Sequence, residues 1–572
     1  MMGPIWKNIQ IKWYSIALIL VALLAALSQT PEVDTFIVEL DPLANSLASQ
    51  IFYSFLRMLG AFVFALVFAL TFGVLAATST TRAKVILPVV DILQSVPLLG
   101  FFPTAIFWFM KLGSAKVGLE MAVVFLIFTS QAWNLVFAVY DGIKNIPEST
   151  KQAVESMALG PVAKFRRLYL PAAFPRIVDN AALSWANGWY FLMACEIIAL
   201  GPLNYEVPGL GSVMFRAVEN SDWLTFYKGL GALFAVIIAM DFFIWRPLGA
   251  LASVYRFDFG AQDEENSSEL SEDVLSFYRN HWICSPLHWL GQSVDWIFTK
   301  LEDSFDDKYS PEKTHTSKTW KWVDACISIV FWTGIASALV WSSLEIFEVL
   351  TTPHPMTAAS LLLAIFYSSL RVLGAYVLCL SWILPLCFWL HRRQSYMRWA
   401  QSTAQILASI PATAFFPVIA VLSFRFFHTT ELAVALMLVT GMQWYLLFNI
   451  IGGAQSIGSD LKDLGKALDL TRLQYFKNIF LPAIAPALVT GSITAVGGGW
   501  NALIIAEYIK IGDKLYKVFG IGAIISESTF ESGDRNLVAY ALFFMVFVIV
   551  TINKLFWQPL YSWAEKKFRM DD

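Results

Sequence analysis

The stretch Ile51–Ala61, which reads IFYSFLRMLGA, returns at Ile365–Ala375 as IFYSSLRVLGA with nine of the eleven positions identical. The copies are 314 residues apart, and the same offset pairs Pro97 with Pro411. Beyond these prolines the offset becomes 311, and the matched residues are Trp133 and Trp444, Pro171 and Pro482, Trp189 and Trp500, Glu196 and Glu507, and Gly209 and Gly211 with Gly520 and Gly522. This repetition indicates one structural unit present twice in the chain.

Composition indicates the membrane as the environment of both units. The 572-residue chain is 57% hydrophobic and only 15% charged, with a mean hydropathy of +0.60. Soluble proteins carry about a quarter charged residues. We therefore expect an all-α polytopic protein with about 12 transmembrane helices, because the apolar runs are continuous and do not alternate.

Six apolar stretches fall in each half. The first half has them at roughly 13–28, 51–77, 85–110, 118–141, 172–199 and 226–251, each near the length of a membrane-spanning helix. The second half has them at roughly 322–346, 361–390, 399–424, 431–453, 483–509 and 537–560. The first stretch also fits a cleaved signal peptide preceded by Lys7 and Lys12. Its counterpart is internal, so we favour a retained helix.

Lysine and arginine set the expected orientation. Basic residues follow spans two and four: Arg82, Lys84, Lys144, Lys151, Lys164, Arg166 and Arg167 in the first half, and Arg392, Arg393 and Arg398 after span two of the second. Since cytoplasmic loops are enriched in such residues, both termini are expected in the cytoplasm, with Lys111 and Lys116 on the outer side. An even number of spans per half makes the two repeats parallel.

A linker of different composition separates the repeats. Residues 258–320 hold thirteen acidic and five basic residues, so we expect a first repeat over 1–257, an acidic cytoplasmic linker over 258–320 and a second repeat over 321–572. A basic membrane body with an acidic insert does not indicate nucleic-acid binding. Leu275–Leu301 is consistent with an interfacial amphipathic helix pair or a spacer, and we favour the spacer.

The five cysteines do not form a recognisable metal or disulfide pattern. Cys195, Cys326, Cys379 and Cys387 lie in apolar stretches and are interpreted as packing residues. Cys284 lies between His281 and His288, but a closed zinc site needs a fourth ligand. We therefore expect no metal.

The loops after span four, 144–170 and 456–481, carry helix signals. Pro147 and Glu148 suit a helix start, and Gly160-Pro161 suits a corner between two helices. In the second loop, Ser459 suits a helix start and Thr471 opens a capping-box pattern. The sequence of each loop therefore predicts two short helices that meet at a corner. Such a structure is rigid and is suited to transmitting force.

These loops resemble the cytoplasmic loop of type I ABC importer membrane components, whose pattern is E-A-A-x3-G-x9-I-x-L-P. Counting back from Leu-Pro places the family glycine at Ala158 and at Asp469. The resemblance implies the type I permease fold in duplicated form, in the inner (plasma) membrane of a bacterium or archaeon. It implies an ATPase contact at Gln152, Ala153, Glu155, Met157, Ala158 and Gly160, and at Asp463, Lys466, Leu468, Asp469 and Leu470.

Two further segments are similar to the nitrate/sulfonate/taurine branch of that family. They are the proline-bracketed Ser95–Pro103 and Ser409–Pro417, and the Glu-containing Ala194–Gly201 and Ile505–Gly512 with the G-x-G that follows. The resemblance implies alternating access for a small anion such as nitrate, a sulfonate, taurine or bicarbonate. It also implies two ATPase subunits and an extracytoplasmic solute-binding protein, with one chain replacing a permease dimer.

The chain has no G-x4-G-K-[ST] phosphate loop, so ATP and Mg are expected on partner subunits and this chain is expected to be neither an enzyme nor bound to a cofactor. A secondary transporter with six plus six spans has the same topology and needs no ATPase. A membrane enzyme would need a polar catalytic cluster, which the sequence does not supply.

Glu196 and Glu507 are the charged residues that stand out within the spans. They act either in gating or as acceptors of backbone hydrogen bonds near Gly201 and Gly512, and we favour the second, structural role. Arg57 and Arg371, near the start of span two, are interpreted either as arginines that bind an anion or as interface anchors. The remaining pathway candidates are Trp133, Asn134, Asn187, Trp189, Gln443, Trp444, Tyr445, Trp500 and Asn501.

Overall fold

The structure, a computed structural model, describes residues 46–95, 97–109, 115–157, 159–198, 207–253, 349–408, 410–511 and 514–568, with single positions between 296 and 347. Residues 13–28, most of 258–320 and nearly all of 322–346 lie outside this set. So do Cys284, Cys326, His281 and His288. The predictions for the first and seventh spans, the linker and the histidine-flanked cysteine therefore stay predictions.

The two halves contain the same succession of helices. The described part of the first repeat comprises α1 Leu47–Ala77, α2 Thr80–Ser95, α3 Phe102–Phe109, α4 Ala115–Lys144, α5 Glu148–Ser156, α6 Pro161–Lys164, α7 Leu170–Ile198, α8 Leu210–Glu219, α9 Trp223–Met240 and α10 Arg246–Ser253. That of the second comprises α11 Ala358–Arg392, α12 Gln394–Ala408, α13 Phe416–Phe427, α14 Thr430–Gln455, α15 Ser459–Ala467, α16 Arg472–Tyr475, α17 Leu481–Ala506, α18 Ile521–Phe530, α19 Arg535–Ile552 and α20 Gln558–Phe568. Helices α1 to α10 of the first repeat thus correspond in order to helices α11 to α20 of the second.

Seven helices among the described residues are long and apolar enough to cross a membrane. They are Leu47–Ala77, Val117–Lys144, Trp223–Gly249, Ala358–Arg392, Thr430–Gln455, Arg472–Ala506 and Asn536–Ala564. Helix α7 has 29 residues but is more polar than its counterpart α17. The all-α membrane architecture is confirmed, whereas the total of twelve spans stays a prediction.

The third predicted span of each repeat is broken, which corrects the continuous helices expected at 85–110 and 399–424. Helix α2 is followed by a 3-10 turn at Leu98–Phe101 before α3 begins, and α12 is followed by Ala412–Phe415 before α13. The break occurs at Pro97 and Pro411, because a proline disfavours helical backbone in the residue before it.

A line of buried residues on α1 lets α4 approach closely. Ala61, Ala65, Ala69 and Gly73 recur every fourth position, and a Cβ on Gly73 would lie 2.6 Å from the Val139 side chain. Small residues at this spacing allow close helix packing within membranes. The equivalent line on α11 contains the buried, free Cys379 and Cys387, which confirms their interpretation as packing residues, as burial does for Cys195.

Each broken third span packs against the α7-type helix of the other repeat. The 3-10 turn Ala412–Phe415 contacts α7, and Leu98–Phe101 contacts α17. Thr413 Oγ1 donates a hydrogen bond to the Tyr190 carbonyl at 2.9 Å, and the Leu99 N–H points to Asn501 Oδ1 at 3.5 Å. The breaks therefore form part of the contact between the halves.

Helix α17 ends at Ala506, earlier than the span expected at 483–509. The chain continues as β1 Tyr508–Ile511, which pairs antiparallel with β2 Lys514–Lys517. The Tyr508 hydroxyl donates to Glu531 Oε1 at 2.7 Å. Burial and this carboxylate both disfavour the phenolate, so the pKa of Tyr508 is raised. The hairpin thus fixes the segment that follows Glu507.

Candidate functional site

An arginine and two glutamates join three helices of the first repeat, at the end distant from α5. Arg57 of α1 donates from Nε and Nη2 to the two carboxylate oxygens of Glu120 on α4, both at 2.6 Å. Its Nη1 donates to Glu196 Oε1 of α7 at 2.9 Å and to the Pro208 carbonyl at 2.7 Å. The guanidinium therefore connects α1, α4, α7 and the segment that leads into α8.

The fully buried Glu196 carboxylate is saturated with hydrogen bonds. Besides Arg57, Ser54 Oγ donates to Oε1 at 2.7 Å, and the Gly211 N–H donates to Oε2 at 2.7 Å. The same serine hydroxyl accepts from the Leu210 N–H at 2.9 Å. A buried carboxylate needs this degree of compensation to be tolerated. We call Ser54, Arg57, Glu120, Glu196 and Gly211 the first charged joint.

The second repeat builds the same arrangement from equivalent atoms. Arg371 donates to both oxygens of Glu431 at 2.7 Å, to Glu507 Oε1 at 2.8 Å and to the Phe519 carbonyl at 2.8 Å. Ser368 Oγ donates to Glu507 Oε1 at 2.7 Å, and the Gly522 N–H donates to Oε2 at 2.9 Å. We call these residues the second charged joint.

The two joints differ in their exposure to the surroundings. The Arg57 side chain is 6% exposed and its partner Glu120 is 28% exposed. The corresponding values are 14% for Arg371 and 58% for Glu431. Both inner carboxylates are fully buried. The geometry is thus conserved between the repeats, but the first joint is more strongly desolvated.

Glycine is required where the chain passes the buried carboxylate. A Cβ on Gly209 would overlap with the carboxylate of Glu196, and one on Gly520 would overlap with that of Glu507. Both glycines have extended backbone that other residues also adopt, so the constraint is space rather than φ. The G-x-G motif therefore provides both an N–H donor and a gap for the glutamate.

These contacts bear on two sequence interpretations. Arg57 and Arg371 are not interface anchors, because each is held by two carboxylates. Among the described residues, the backbone donors to the glutamates are Gly211 and Gly522, whereas Gly201 and Gly512 lie outside the described residues and donors there stay a prediction.

Sequence reasoning missed four members of the joints. The serines lie inside the eleven-residue repeat, and the offset of 311 that relates the two inner glutamates also relates the two outer ones. Applied to every polar and charged residue, the offsets of 314 and 311 pair Ser54 with Ser368 and Glu120 with Glu431.

The loops after α4 and α14 are pairs of short helices, as expected. Helices α5 and α6 meet at Gly160, and α15 and α16 meet near Thr471. Thr471 and Gln474 form the predicted capping box, in which the Thr471 N–H donates to Gln474 Oε1 at 2.9 Å. Continuous π segments, Phe165–Tyr169 and Phe476–Phe480, then lead into α7 and α17. Each loop is therefore joined rigidly to the helix that carries the inner glutamate of its joint.

Apolar side chains project from the corners of both loops. Met157 is 66% exposed and Leu468 is 60% exposed, and no residue of α5 is buried. Among the other expected contact residues, Gln152, Ala153, Glu155, Asp463 and Asp469 are exposed, Leu470 is half-buried and Gly160 is buried. Ala158 lies outside the described residues, and the Lys466 side chain is not described.

Asp469 occupies the position that the family pattern assigns to glycine, and it has a left-handed backbone with φ of 46°. The Leu470 N–H donates to the Gly465 carbonyl at 3.1 Å, which closes α15 with a Schellman motif. Glycine is the usual residue at this position of the motif, and aspartate tolerates it better than most. The helix end explains why the pattern favours glycine there.

The pathway candidates separate into two groups. Trp133 is buried in a core cluster of the first repeat, and Trp189 and Trp500 are buried in a core cluster that contains residues of both repeats. Gln443 and Trp444 are half-buried, and Asn134 accepts a hydrogen bond from Gln94 at 3.1 Å. In contrast, Asn187 and Asn501 lie where the halves meet. Tyr445 of the second repeat donates to Asn187 Oδ1 of the first at 3.2 Å.

A tyrosine that the candidates omitted lies at the same interface. The Tyr190 hydroxyl is buried and has no hydrogen-bond partner among the described residues. It faces Gly441 of α14, where a Cβ would lie 3.9 Å from the hydroxyl oxygen. An unsatisfied buried hydroxyl costs free energy unless a ligand or water pairs with it. The sequence analysis named the adjacent Trp189 as a pathway candidate and did not name Tyr190.

Comparison with known proteins agrees with the duplication. A family model described as "Binding-protein-dependent transport system inner membrane component" matches residues 69–244 and again residues 378–558. The chain is 30% identical over 151 residues to the nitrate import permease protein NrtB of Leptolyngbya laminosa, which covers 26% of this chain and 50% of that protein.

Two other similar proteins have different transported solutes in their names. Identity is 22% over 165 residues to the bicarbonate transport system permease protein CmpB of a Synechocystis strain, covering 29% of this chain and 55% of CmpB. It is 24% over 166 residues to the taurine transport system permease protein TauC of Escherichia coli, covering 29% and 56%. The matches to these three relatives therefore span only about half of each relative's length.

Proposed function

Because the chain belongs to the family of inner membrane components of binding-protein-dependent transport systems, and carries the family domain twice, we propose that it forms a complete ATP-driven import pathway in one polypeptide. It is a multi-pass inner-membrane permease and not itself an enzyme. Two separate ATPase subunits would supply ATP hydrolysis, and an extracytoplasmic binding protein would deliver the solute. The observation that carries the proposal is the duplicated domain with a rigid two-helix loop in each copy.

The two loops are the proposed contacts with the ATPase subunits. Their exposed apolar corners, at Met157 and Leu468, offer surface that a partner can bury. Because α5 and α15 are joined through helices to α7 and α17, a displacement of a loop moves the helix that carries Glu196 or Glu507. Along α4, Lys144 and Glu120 are separated by 24 residues, or about 36 Å of helix. The charged joints therefore hold the helices in place at the ends distant from α5 and α15.

The solute pathway is proposed along the contact between the halves. Asn187, Tyr190, Tyr445 and Asn501 provide neutral polar groups there, of which the Tyr190 hydroxyl has no hydrogen-bond partner among the described residues, and the buried tryptophans provide the packed walls. The arginines of the charged joints are each matched by two carboxylates, so they are not free to bind an anion. A small oxyanion or sulfonate would thus be held by hydroxyl and amide groups. The names of the relatives support this class but differ in the solute.

The orientation follows from the same proposal. The loops of α5 and α15 face the cytoplasm, and the charged joints lie toward the outer side. This agrees with the lysines and arginines that follow spans two and four. Both termini and the acidic linker are then cytoplasmic.

Reconstitution tests the function directly. We expect the purified chain to bind an ATPase from the same cell in a ratio of one chain to two ATPase subunits. Proteoliposomes of this complex should accumulate labelled nitrate, bicarbonate or taurine only with ATP and a binding protein. Accumulation by the chain alone, driven by an ion gradient, would instead establish a secondary transporter. The solute panel then identifies the substrate.

Variants of the loop corners test the coupling role. Met157→Glu and Leu468→Glu place a charge in the proposed apolar contacts and should reduce ATPase binding at least tenfold while membrane levels stay normal. Met157→Leu and Leu468→Met are matched controls that keep the apolar contact. If the glutamate variants bind and transport normally, the corners are not the docking points.

A further inference from the structure

A cavity of about 340 Å³ lies in the first repeat on the side of α5, between the end of α1, α2 and the end of α4. Its polar groups belong to Thr80, Lys84, Tyr140 and Lys144. Its walls are alanines together with Leu87 and Pro88. The cavity therefore combines two cationic groups with a mainly apolar lining.

The two lysines are available to an external anion. Both are exposed, and neither forms an ion pair with any residue in the described part of the chain. Lys144 ends α4, only four residues before α5 begins, and Lys84 lies on the second turn of α2. The two ammonium groups that line this cavity attract a ligand that carries at least one negative charge. The apolar walls favour a ligand that also carries hydrocarbon.

The second repeat has different side chains at the positions equivalent to the cavity lining. Ala76 and Ala77 correspond to Leu390 and His391, and the buried His391 ring is hydrogen-bonded to the Ala454 carbonyl and the Tyr475 hydroxyl, both at 3.1 Å. Lys144 corresponds to Gln455, which donates to Gln401 Oε1 at 2.9 Å. At these positions the second repeat therefore has larger side chains, and a glutamine replaces the second lysine.

We propose that this cavity binds the headgroup of an anionic phospholipid, with the phosphate between Lys84 and Lys144 and the start of an acyl chain against Leu87 and Pro88. Basic pockets between transmembrane helices on the cytoplasmic side are suited to such headgroups. A free inorganic anion would use the lysines but leave the apolar walls exposed to water. The site is separate from the solute pathway between the halves, and one lipid per chain is expected because the second repeat has His391 and Gln455 at positions equivalent to Ala77 and Lys144.

Native mass spectrometry of the purified full chain tests the proposal with phosphatidylglycerol and phosphatidylcholine as probes. We expect one phosphatidylglycerol molecule to be retained per chain, at least tenfold more tightly than phosphatidylcholine. Lys84→Gln combined with Lys144→Gln should abolish that difference. Arg392→Gln combined with Arg393→Gln removes two exposed charges from the matching end of the second repeat and should leave it unchanged.

A second variant separates shape from charge. Ala77→Leu fills the cavity and keeps both lysines, so it should also lose the retained lipid while its melting temperature stays near that of the unaltered chain. Equal retention of the two lipids, displacement of phosphatidylglycerol by millimolar inorganic phosphate, or normal retention in Ala77→Leu would each overturn the proposal. The first of these results means that binding is not headgroup-specific, and the second indicates a site for free anions.

Discussion

At the ends distant from α5 and α15, Arg57 and Arg371 make the same hydrogen bonds to equivalent glutamates and to equivalent carbonyls. At the loop ends, Ala77 and His391 occupy equivalent positions but differ in size, polarity and contacts. The joints consist of mutually dependent buried charges, so altering one member leaves others uncompensated. At the loop ends the two halves therefore present different surfaces.

The largest expected effect comes from removing the arginine of a joint. Arg57→Met leaves the buried Glu196 without its counter-charge and should lower the free energy of unfolding by about 3–5 kcal/mol. Arg371→Met should cost about 1 kcal/mol less, because its second partner Glu431 is 58% exposed and regains solvent contacts. Thermal unfolding in detergent, followed by tryptophan fluorescence, measures both.

A compensating variant checks the cause of that loss. Arg57→Met combined with Glu196→Gln removes the uncompensated charge, so part of the lost stability should return. Equal losses in the two repeats would show that the difference in exposure between the joints is not energetically important. Failure of the compensating change would show that Arg57 acts by its volume rather than its charge.

An intermediate effect is expected from the glycines beside the carboxylates. Gly209→Ala and Gly520→Ala each push a Cβ into a glutamate and should destabilise by about 1–3 kcal/mol through overpacking. Gly231→Ala and Gly374→Ala are matched controls, since no atom lies within 4 Å of a Cβ there. The controls should be neutral or slightly stabilising because alanine favours helix. Similar melting temperatures for all four variants would contradict the close approach seen at the joints.

A smaller effect is expected from the histidine contact that exists only in the second repeat. Tyr475→Phe removes the hydroxyl that meets His391 Nε2 and should cost about 1 kcal/mol. The change should appear mainly as faster hydrogen exchange in α16, with little effect on α6. Tyr396→Phe, on an exposed side chain, is the control. Equal acceleration in both loops would mean that the contact does not stabilise its own loop selectively.

How far the sequence predicts this molecule depends on the range of the interactions involved. The capping box at Thr471 is local, so the pattern alone identified it. The break at Pro97 is also local, but reading by hydropathy treated the span as continuous. The Gly-Asp pair between β1 and β2 is a hairpin signal, which the prediction of spans from hydropathy did not take into account.

The charged joints could not be predicted from local pattern, because Arg57 pairs with glutamates 63 and 139 residues away. Only the repeat offsets carry information at that range, and they specify that two residues are equivalent rather than that they touch. The cavity at Lys84 and Lys144 likewise depends on which helix ends converge. The pairs of charged residues in the joints and the cavity could therefore be identified only from the structure.

The smallest expected effect tests the helix end at Asp469, where the two loops depart from the family pattern. Its left-handed backbone disfavours residues with a Cβ, so Asp469→Gly should be neutral or stabilise by up to about 1 kcal/mol. Asp469→Val should destabilise by about 1 kcal/mol, because branched side chains fit this conformation poorly. Hydrogen exchange at the end of α15 measures both changes. If valine is tolerated as well as glycine, backbone conformation does not explain the family's glycine, and a direct requirement of the ATPase contact becomes the better explanation for it.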